Sequence, residues 1–295
     1  MIRSTNMNSY DAEPQPVAVT VTAADVLPVP WASVRAVLWA GVASTLYRFR
    51  RGEGALLAIN FSLIAYQGMS VPRSMAQALV SVLVLLLMYA FNDLYDAPTD
   101  SINPKKDRFL IATYLEHRQT SAVALVVLKL GAVGLAFASL GGRAALAVVG
   151  VLLANMVYST LLKGVPVIDV AWCGLWGGLF ATIVGAAPSL ILLVGLMTAV
   201  CHLYQALDDR VADAANGITT TAVRSALLSK SLLCALSVLL FLNLRAALGG
   251  TWALSACVPL LCLFVAGNAR IGWLLTKIYF GVVWLYLLGI AHAAG

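Results

Sequence analysis

The chain is 295 residues long, with 61% hydrophobic and 11% charged residues, and its mean hydropathy is +0.90. Charge that sparse cannot clothe a water-facing surface along most of the chain, which excludes disordered, collagen-like and disulfide-scaffold classes and predicts an integral membrane protein. The formal net charge of +6 is read as topology and not as a nucleic-acid surface, because excess Lys and Arg collect in the cytoplasmic loops of membrane proteins.

Residues 1–30 are polar, end in a stretch punctuated by Pro28 and Pro30, and read as a mobile N-terminal tail without the basic start and apolar core of a signal peptide. Residues 31–53, with Arg35 inside and Arg48, Arg50 and Arg51 at the end, read as an interfacial helix and basic linker. The membrane domain is expected over 54–295. Apolar runs able to cross a hydrocarbon core of about 30 Å recur near 54–70, 74–92, 120–140, 144–162, 165–187, 188–207, 226–248, 251–266 and 273–293. Because only helix satisfies the backbone of such segments in lipid, the expected fold is all-α with nine transmembrane helices.

Basic residues test that count. One side gathers Arg3, Arg35, Arg48, Arg50, Arg51, Lys105, Lys106, Arg108, Arg118, Lys163, Arg210, Arg224 and Arg270, and the other only Arg73, Arg143 and Arg245. This bias puts the N-terminus in the cytoplasm and the C-terminus outside. Lys129, Lys230 and Lys277 fall inside spans and are read as snorkelling residues near span ends. The five cysteines lack metal-ligand or redox spacing and are read as small core residues.

The acidic residues carry the chemical signal. Asp93, Asp96, Asp100, Asp208, Asp209 and Asp213 fall at just two helix ends. Asn92, Asp96 and Asp100 recur at four-residue steps, as do Gln205, Asp209 and Asp213, so each set shares one helical face. Like charges one turn apart repel, and a cation would join them. Hard oxygen donors without His or thiolate select Mg²⁺, which shares its remaining sites with water and phosphate. A phosphorylated substrate is therefore expected. The bland alternative is two sets of solvated loop charges. Asp169 is read either as a partner of Lys163 or as a further site residue.

With these residues in place, the sequence resembles the UbiA superfamily of intramembrane prenyltransferases. That family pairs an NDxxDxxxD motif after its second helix with a DxxxD motif after its sixth, and Asn92-Asp93-xx-Asp96-xxx-Asp100 and Asp209-xxx-Asp213 match. Asp213-xxx-Gly217-xx-Thr220, Tyr158-Ser159-xx-Leu162-Lys163-xx-Pro166 and Tyr47-Arg48 add to the likeness, which runs from about Arg48 to the C-terminus. One departure is clear: the family commonly reads K-x-x-R-P-(I/L)-x-S-G after the first motif, where this chain has Lys105-Lys106-Asp107-Arg108-Phe109-Leu110.

The resemblance implies nine helices around a central cavity and transfer of a prenyl group from an allylic prenyl diphosphate to a small-molecule acceptor, often an aromatic ring. It implies Asp93, Asp96, Asp209 and Asp213 as catalytic carboxylates and Asn92, Asp96, Asp100, Asp209 and Asp213 as Mg²⁺ ligands. Asp93, Asp100 and Asp208 are read as supporting or alternate ligands. Arg48, Lys106, Arg108 and Lys163 would contact phosphate, with Tyr158, Tyr204 and Asp208 completing the substrate-binding set. Candidates for a wall facing a carbocation are Tyr95, Tyr158, Trp172, Trp176, Phe180 and Tyr204. His202 is read as a structural histidine or a base. The expected setting is the lipid bilayer, a bacterial inner membrane, with the site facing the cytoplasm. Competing readings are a membrane terpene cyclase of the same fold, a polyprenyl-phosphate phosphoribosyltransferase, and a transporter or lipid-binding protein.

Overall fold

The computed structural model describes residues 31–50, 53–101, 107–248, 250–265 and 268–294. The expected tail at 1–30, Arg51, Lys105 and Lys106 lie outside the described residues.

The described chain is helical: α1 (Trp31–Arg50), α2 (Ala55–Tyr66), α3 (Val71–Asp100), α4 (Arg108–Glu116), α5 (Arg118–Leu140), α6 (Gly142–Val157), α7 (Ile168–Thr182), α8 (Pro188–Ala215), α9 (Thr221–Arg224), α10 (Ala226–Leu248), α11 (Gly250–Ala253), α12 (Val258–Val265) and α13 (Ala269–Ala294). Six helices, including α3 and α8, are long and apolar enough to cross a membrane, and three shorter apolar helices accompany them. The eighth apolar run is not one helix: α11 passes into a 3-10 turn, Leu254–Cys257, before α12. Pro259 near the start of α12 has no N–H to continue a regular helical ladder from the preceding turn.

The two acidic motifs are helical throughout. Helix α3 runs through Pro98 to Asp100, and α8 continues to Ala215, well past the apolar residues that predicted each span. Each ladder is therefore a polar extension of a spanning helix, rigidly aimed by it. Helix α1 packs against α3, α4 and α5, burying Ala40, Gly41, Ser44 and Thr45. The helix read from sequence as interfacial thus packs onto the bundle along one face.

Helices α7 and α8 make the most extensive contact, and glycine makes it possible. A Cβ on Gly174 would stand 3.0 Å from the Gly195 carbonyl oxygen, and one on Gly178 would stand 2.9 Å from that of Ile191. At the other end of the bundle Asn60 of α2 donates to Ser81 and to the Phe180 carbonyl, while Gln67 donates to the Val184 carbonyl.

The intramembrane lysines divide. Lys230 is exposed, as snorkelling requires. Lys129 instead lies midway along α5, is 9% exposed, and sets its ammonium 3.8 Å from the Phe91 ring centroid; an aromatic face takes the place of water for that cation. Lys277 stands 3.3 Å from the centroid of Trp273.

The α7–α8 seam yields a prediction. Gly178→Ala should cost about 1–3 kcal/mol through overpacking against a carbonyl. Gly131→Ala on α5, where a Cβ meets nothing within 4 Å, should instead gain about 0.5–1 kcal/mol of helix propensity. Unfolding in one detergent, read by circular dichroism, distinguishes the two.

Candidate active site

Helices α3 and α8 bring their ladders to one cavity of about 500 Å³. Asn92, Asp96 and Asp100 line it from α3, and Gln205, Asp209 and Asp213 from α8. Lys163 stands between them. Its Nζ donates to Asp96 Oδ2 at 2.6 Å. Burial works against the Lys163 ammonium, but Asp96, Asp100 and Asp213 outweigh it and hold its pKa above the ordinary lysine value. Lys163 therefore carries its positive charge throughout the physiological range.

The backbone that delivers Lys163 is a π-helical turn, Tyr158–Leu162, closed by Lys163 N–H donating to the Tyr158 carbonyl at 2.8 Å. Such wide turns recur at functional sites because they re-aim side chains. Here the turn sends Ser159 Oγ to Asn92 Oδ1 at 2.6 Å, and Asn155 Nδ2 donates to the same oxygen at 3.0 Å. Both bonds fix the Asn92 amide and use the lone pairs of its oxygen. Tyr158 places its hydroxyl 3.3 Å from His202 Nε2, and both residues line the cavity.

A second cation enters from α1. Arg48 lines the cavity and pairs with Glu53 at 3.1 Å and with Asp93. Its guanidinium lies 4.7 Å from the Tyr89 ring centroid. Asp93 also accepts from Ser44 Oγ. Away from the ladders the cavity wall turns mostly apolar and aromatic, with Trp176 of α7 and Trp273, Phe280 and Trp284 of α13, and Lys277 of α13 as a charged exception over the Trp273 ring. Among the described residues no three His, Cys, Asp or Glu groups close up into a metal cage. The donor set is oxygen on two facing helices, open to a ligand that would complete the coordination.

Comparison with known proteins agrees with this architecture. The model of the UbiA prenyltransferase family matches residues 54–278. The chain belongs to the UbiA prenyltransferase family. Members of this family are intramembrane prenyltransferases, and the protein is an integral membrane protein. A UbiA homologue from Archaeoglobus fulgidus, solved bound to DMAPP and Mg²⁺, superposes with a TM-score of 0.61 at 18% identity, over 82% of this chain and 96% of that one. The same homologue bound to GPP and Mg²⁺ gives 0.55 at 15% identity, with the same coverage. A lycopene elongase/hydratase from Haloarcula japonica is 34% identical over 147 residues, which is 46% of this chain and 49% of that protein. The chain thus spans about half the length of the curated relative it matches.

Within this UbiA site the residues expected from sequence separate into two groups. Asn92, Asp96, Asp100, Asp209, Asp213, Arg48, Tyr158, Lys163 and Trp176 line the cavity together. Asp93 does not face it with them, because Arg48 and Ser44 hold its carboxylate toward α1. Asp208 turns to Arg270 of α13 at 3.7 Å. Arg108 is exposed at the start of α4, where Asp107 caps the helix by accepting from Phe109 and Leu110 N–H. Tyr204 is fully buried with its hydroxyl donating to the Pro259 carbonyl. Phe180 is buried, Trp172 donates to the Ala154 carbonyl at 2.7 Å, and Tyr95 is 41% exposed. None of these three belongs to the aromatic wall.

Asp169 does not pair with Lys163. It is fully buried and accepts from Val170 N–H and Thr221 N–H, each at 2.8 Å, and from the Thr221 hydroxyl. Sequence reasoning missed Glu53, Asn155, Thr221 and the α13 aromatics. The readable signals were a lone Glu after a basic cluster, and Trp273, Phe280 and Trp284 at spacings of seven and four on one helical face.

The Arg48 cluster makes a testable case. Its side chains are 15% exposed for Arg48 and 17% for Asp93, so Asp93→Ala should cost about 1–3 kcal/mol by removing one of the two carboxylates on a largely buried guanidinium and leaving it to Glu53 alone. Asp93→Asn, whose amide oxygen keeps the Arg48 bond while the Ser44 hydroxyl can turn to accept from the amide N–H, should cost less. Chemical unfolding followed by tryptophan fluorescence measures both.

Proposed function

We propose that this protein transfers a prenyl group from an allylic prenyl diphosphate to a small-molecule acceptor in a Mg²⁺-dependent reaction. One observation carries the reading: two oxygen-donor ladders and Lys163 share a cavity whose remaining wall is mostly aromatic and apolar. Heterolysis of the allylic carbon–oxygen bond leaves its electron pair on the diphosphate and a delocalised cation on carbon. The acceptor's π electrons then form the new carbon–carbon bond, and the acceptor loses a proton.

The donor set suits Mg²⁺, which takes oxygen ligands from one or two carboxylates and completes its shell with water and phosphate. Asp96, Asp100, Asp209 and Asp213 are the residues that would hold it, the Asn92 oxygen being occupied by Ser159 and Asn155, and when bound it would supply neutralising charge to the leaving diphosphate. The solved A. fulgidus homologues carry Mg²⁺ with DMAPP or GPP, which supports the same ligand class here. Lys163 and Arg48 add positive charge from the protein, fixed in place by Asp96 and by Glu53 and Asp93. Electrostatics arranged in advance of the reaction is usually the largest catalytic contribution. Tyr158, Trp176, Phe280 and Trp284 line the cavity, and a ring whose face meets the cation is worth about 0.5–2 kcal/mol; the Trp273 ring already carries the Lys277 ammonium at 3.3 Å. The acceptor proton goes to a ladder carboxylate, to His202 or to the released diphosphate.

Six long and three shorter apolar helices, with the basic residues biased to one side, support nine spans with the N-terminus and the site cytoplasmic and the C-terminus outside. A hydrocarbon donor tail partitions into lipid at about 0.8 kcal/mol per methylene, so a bilayer is the medium from which such a substrate is drawn.

The deciding assay uses purified protein, Mg²⁺ and radiolabelled geranyl, farnesyl or geranylgeranyl diphosphate, with and without aromatic and polyene acceptors. Product formed only with acceptor is expected. Cyclised hydrocarbon without acceptor would establish a cyclase instead, and absence of diphosphate release with every donor would overturn the enzymatic reading. Asp96→Ala and Asp209→Ala should each lower turnover by about 10²–10³-fold or more while the protein stays folded. Chelation with EDTA should stop the reaction and added Mg²⁺ restore it.

A further inference from the structure

The loop that carries Lys163 and the loop that follows Asp213 are far apart in sequence, yet one buried hydroxyl joins them. Thr221 Oγ1 accepts from Val167 N–H at 2.7 Å and donates to Asp169. Thr221 N–H donates to the other oxygen of the same carboxylate at 2.8 Å. Asp169 and Thr221 are both fully buried. The neighbouring Thr220 caps α9 by accepting from Val223 N–H at 3.4 Å and reaches Asp213 Oδ2 at 3.5 Å. On the other loop, a Cβ on Gly164, next to Lys163, would touch Ile218 at 3.7 Å and Thr219 N at 3.8 Å. Two residues of the polar rim are therefore tied to each other through a single hydrogen-bonded unit behind them.

Val167 shows that this unit is imposed on the chain and not merely permitted by it. Its φ is +72°, in a region that β-branched residues avoid, and it is the only non-glycine with positive φ among the described residues. A residue held in such a conformation persists only where its surroundings over-determine it, and such outliers cluster at functional sites. The Thr221 hydroxyl supplies the acceptor that the Val167 N–H meets in that turn.

We propose that Thr221 and Asp169 are positioning residues that set Lys163 against Asp213 across the diphosphate end of the cavity, by holding the Val167 turn in its strained form. The inference rests on the prenyl diphosphate reading of the site. Neither residue touches substrate. Loss of the Thr221 hydroxyl releases the Val167 N–H and removes one of the two donors to the buried Asp169 Oδ1, which keeps only Val170 N–H, and the turn relaxes away from the rim with Lys163 on it.

The test measures Mg²⁺-dependent diphosphate release from geranyl or farnesyl diphosphate, alongside donor binding and thermal unfolding, for Thr221→Val, Thr221→Ser, Asp169→Asn and Thr221→Val combined with Val167→Gly. Misplacement of a charged group by a fraction of a helical turn is expected to lower kcat by about tenfold or more in Thr221→Val, with a smaller change in donor KM. Thr221→Ser should keep wild-type kcat. Glycine at 167 adopts the turn without the hydroxyl, so the double variant should recover most of the lost kcat. Should Thr221→Val not fold, Asp169→Asn, which keeps the side-chain volume, is expected to show the same kcat loss. Wild-type kcat in both variants overturns the inference, as does a kcat loss in Thr221→Val that Val167→Gly leaves unrepaired while the unfolding temperature falls in parallel. Failure of the wild-type protein to release diphosphate from any donor overturns the prenyl diphosphate reading itself, which is a different outcome from an active wild type with indifferent variants.

Discussion

Carboxylates crowded at one end of an apolar bundle repel one another, and the arrangement depends on where their countercharges stand. Lys163 answers that repulsion between the ladders, bonded to Asp96 and within electrostatic reach of Asp100 and Asp213. Arg48 does the same behind α3, shared by Glu53 and Asp93. Both cations are themselves held by secondary contacts, Lys163 by the π-helical turn and Arg48 by its stack on Tyr89. The polar end is thus a fixed lattice of alternating charge, and a bound anion would meet positive groups already in position.

The division of labour among helices follows from their lengths. Helix α3 has 30 residues and α8 has 28, more than the ~20 needed to cross a hydrocarbon core. The surplus turns carry the ladders. The shorter α2 and α7 contribute cavity wall without a polar extension.

Much of this was legible in the sequence, and the limit is physical. Hydropathy located the spans, because lipid demands long apolar helices whatever they pack against. Four-residue spacing located the ladders, because it puts oxygens on one face. What could not be read was which apolar face looks into the hollow and which meets lipid, since both are equally greasy. Phe180 and Tyr204 were therefore expected in the wall and are core residues, while Trp273, Phe280 and Trp284 of α13 line it. Asp93 and Asp208 carry the same motif signature as their neighbours, yet each is turned by about 100° from the adjacent cavity-facing residue, Asp93 one step after Asn92 and Asp208 one step before Asp209. Arg48 and Arg270 capture them there. Thr221 offered no pattern at all, because its partners Val167 and Asp169 come from a distant loop.

The glycine seam constrains how such a chamber accommodates guests of different girth. Where α7 and α8 meet backbone against backbone at Gly174 and Gly195, that side has no side-chain rotamers to rearrange and no slack to give up. Helices α2 and α13 meet through side chains, with Trp284 donating to Ser62 at 2.8 Å, and α13 lines the hollow with bulky rings. On that flank the width of the hollow is set by side chains, which a substitution can trim, while on the opposite one it is set by the backbone itself.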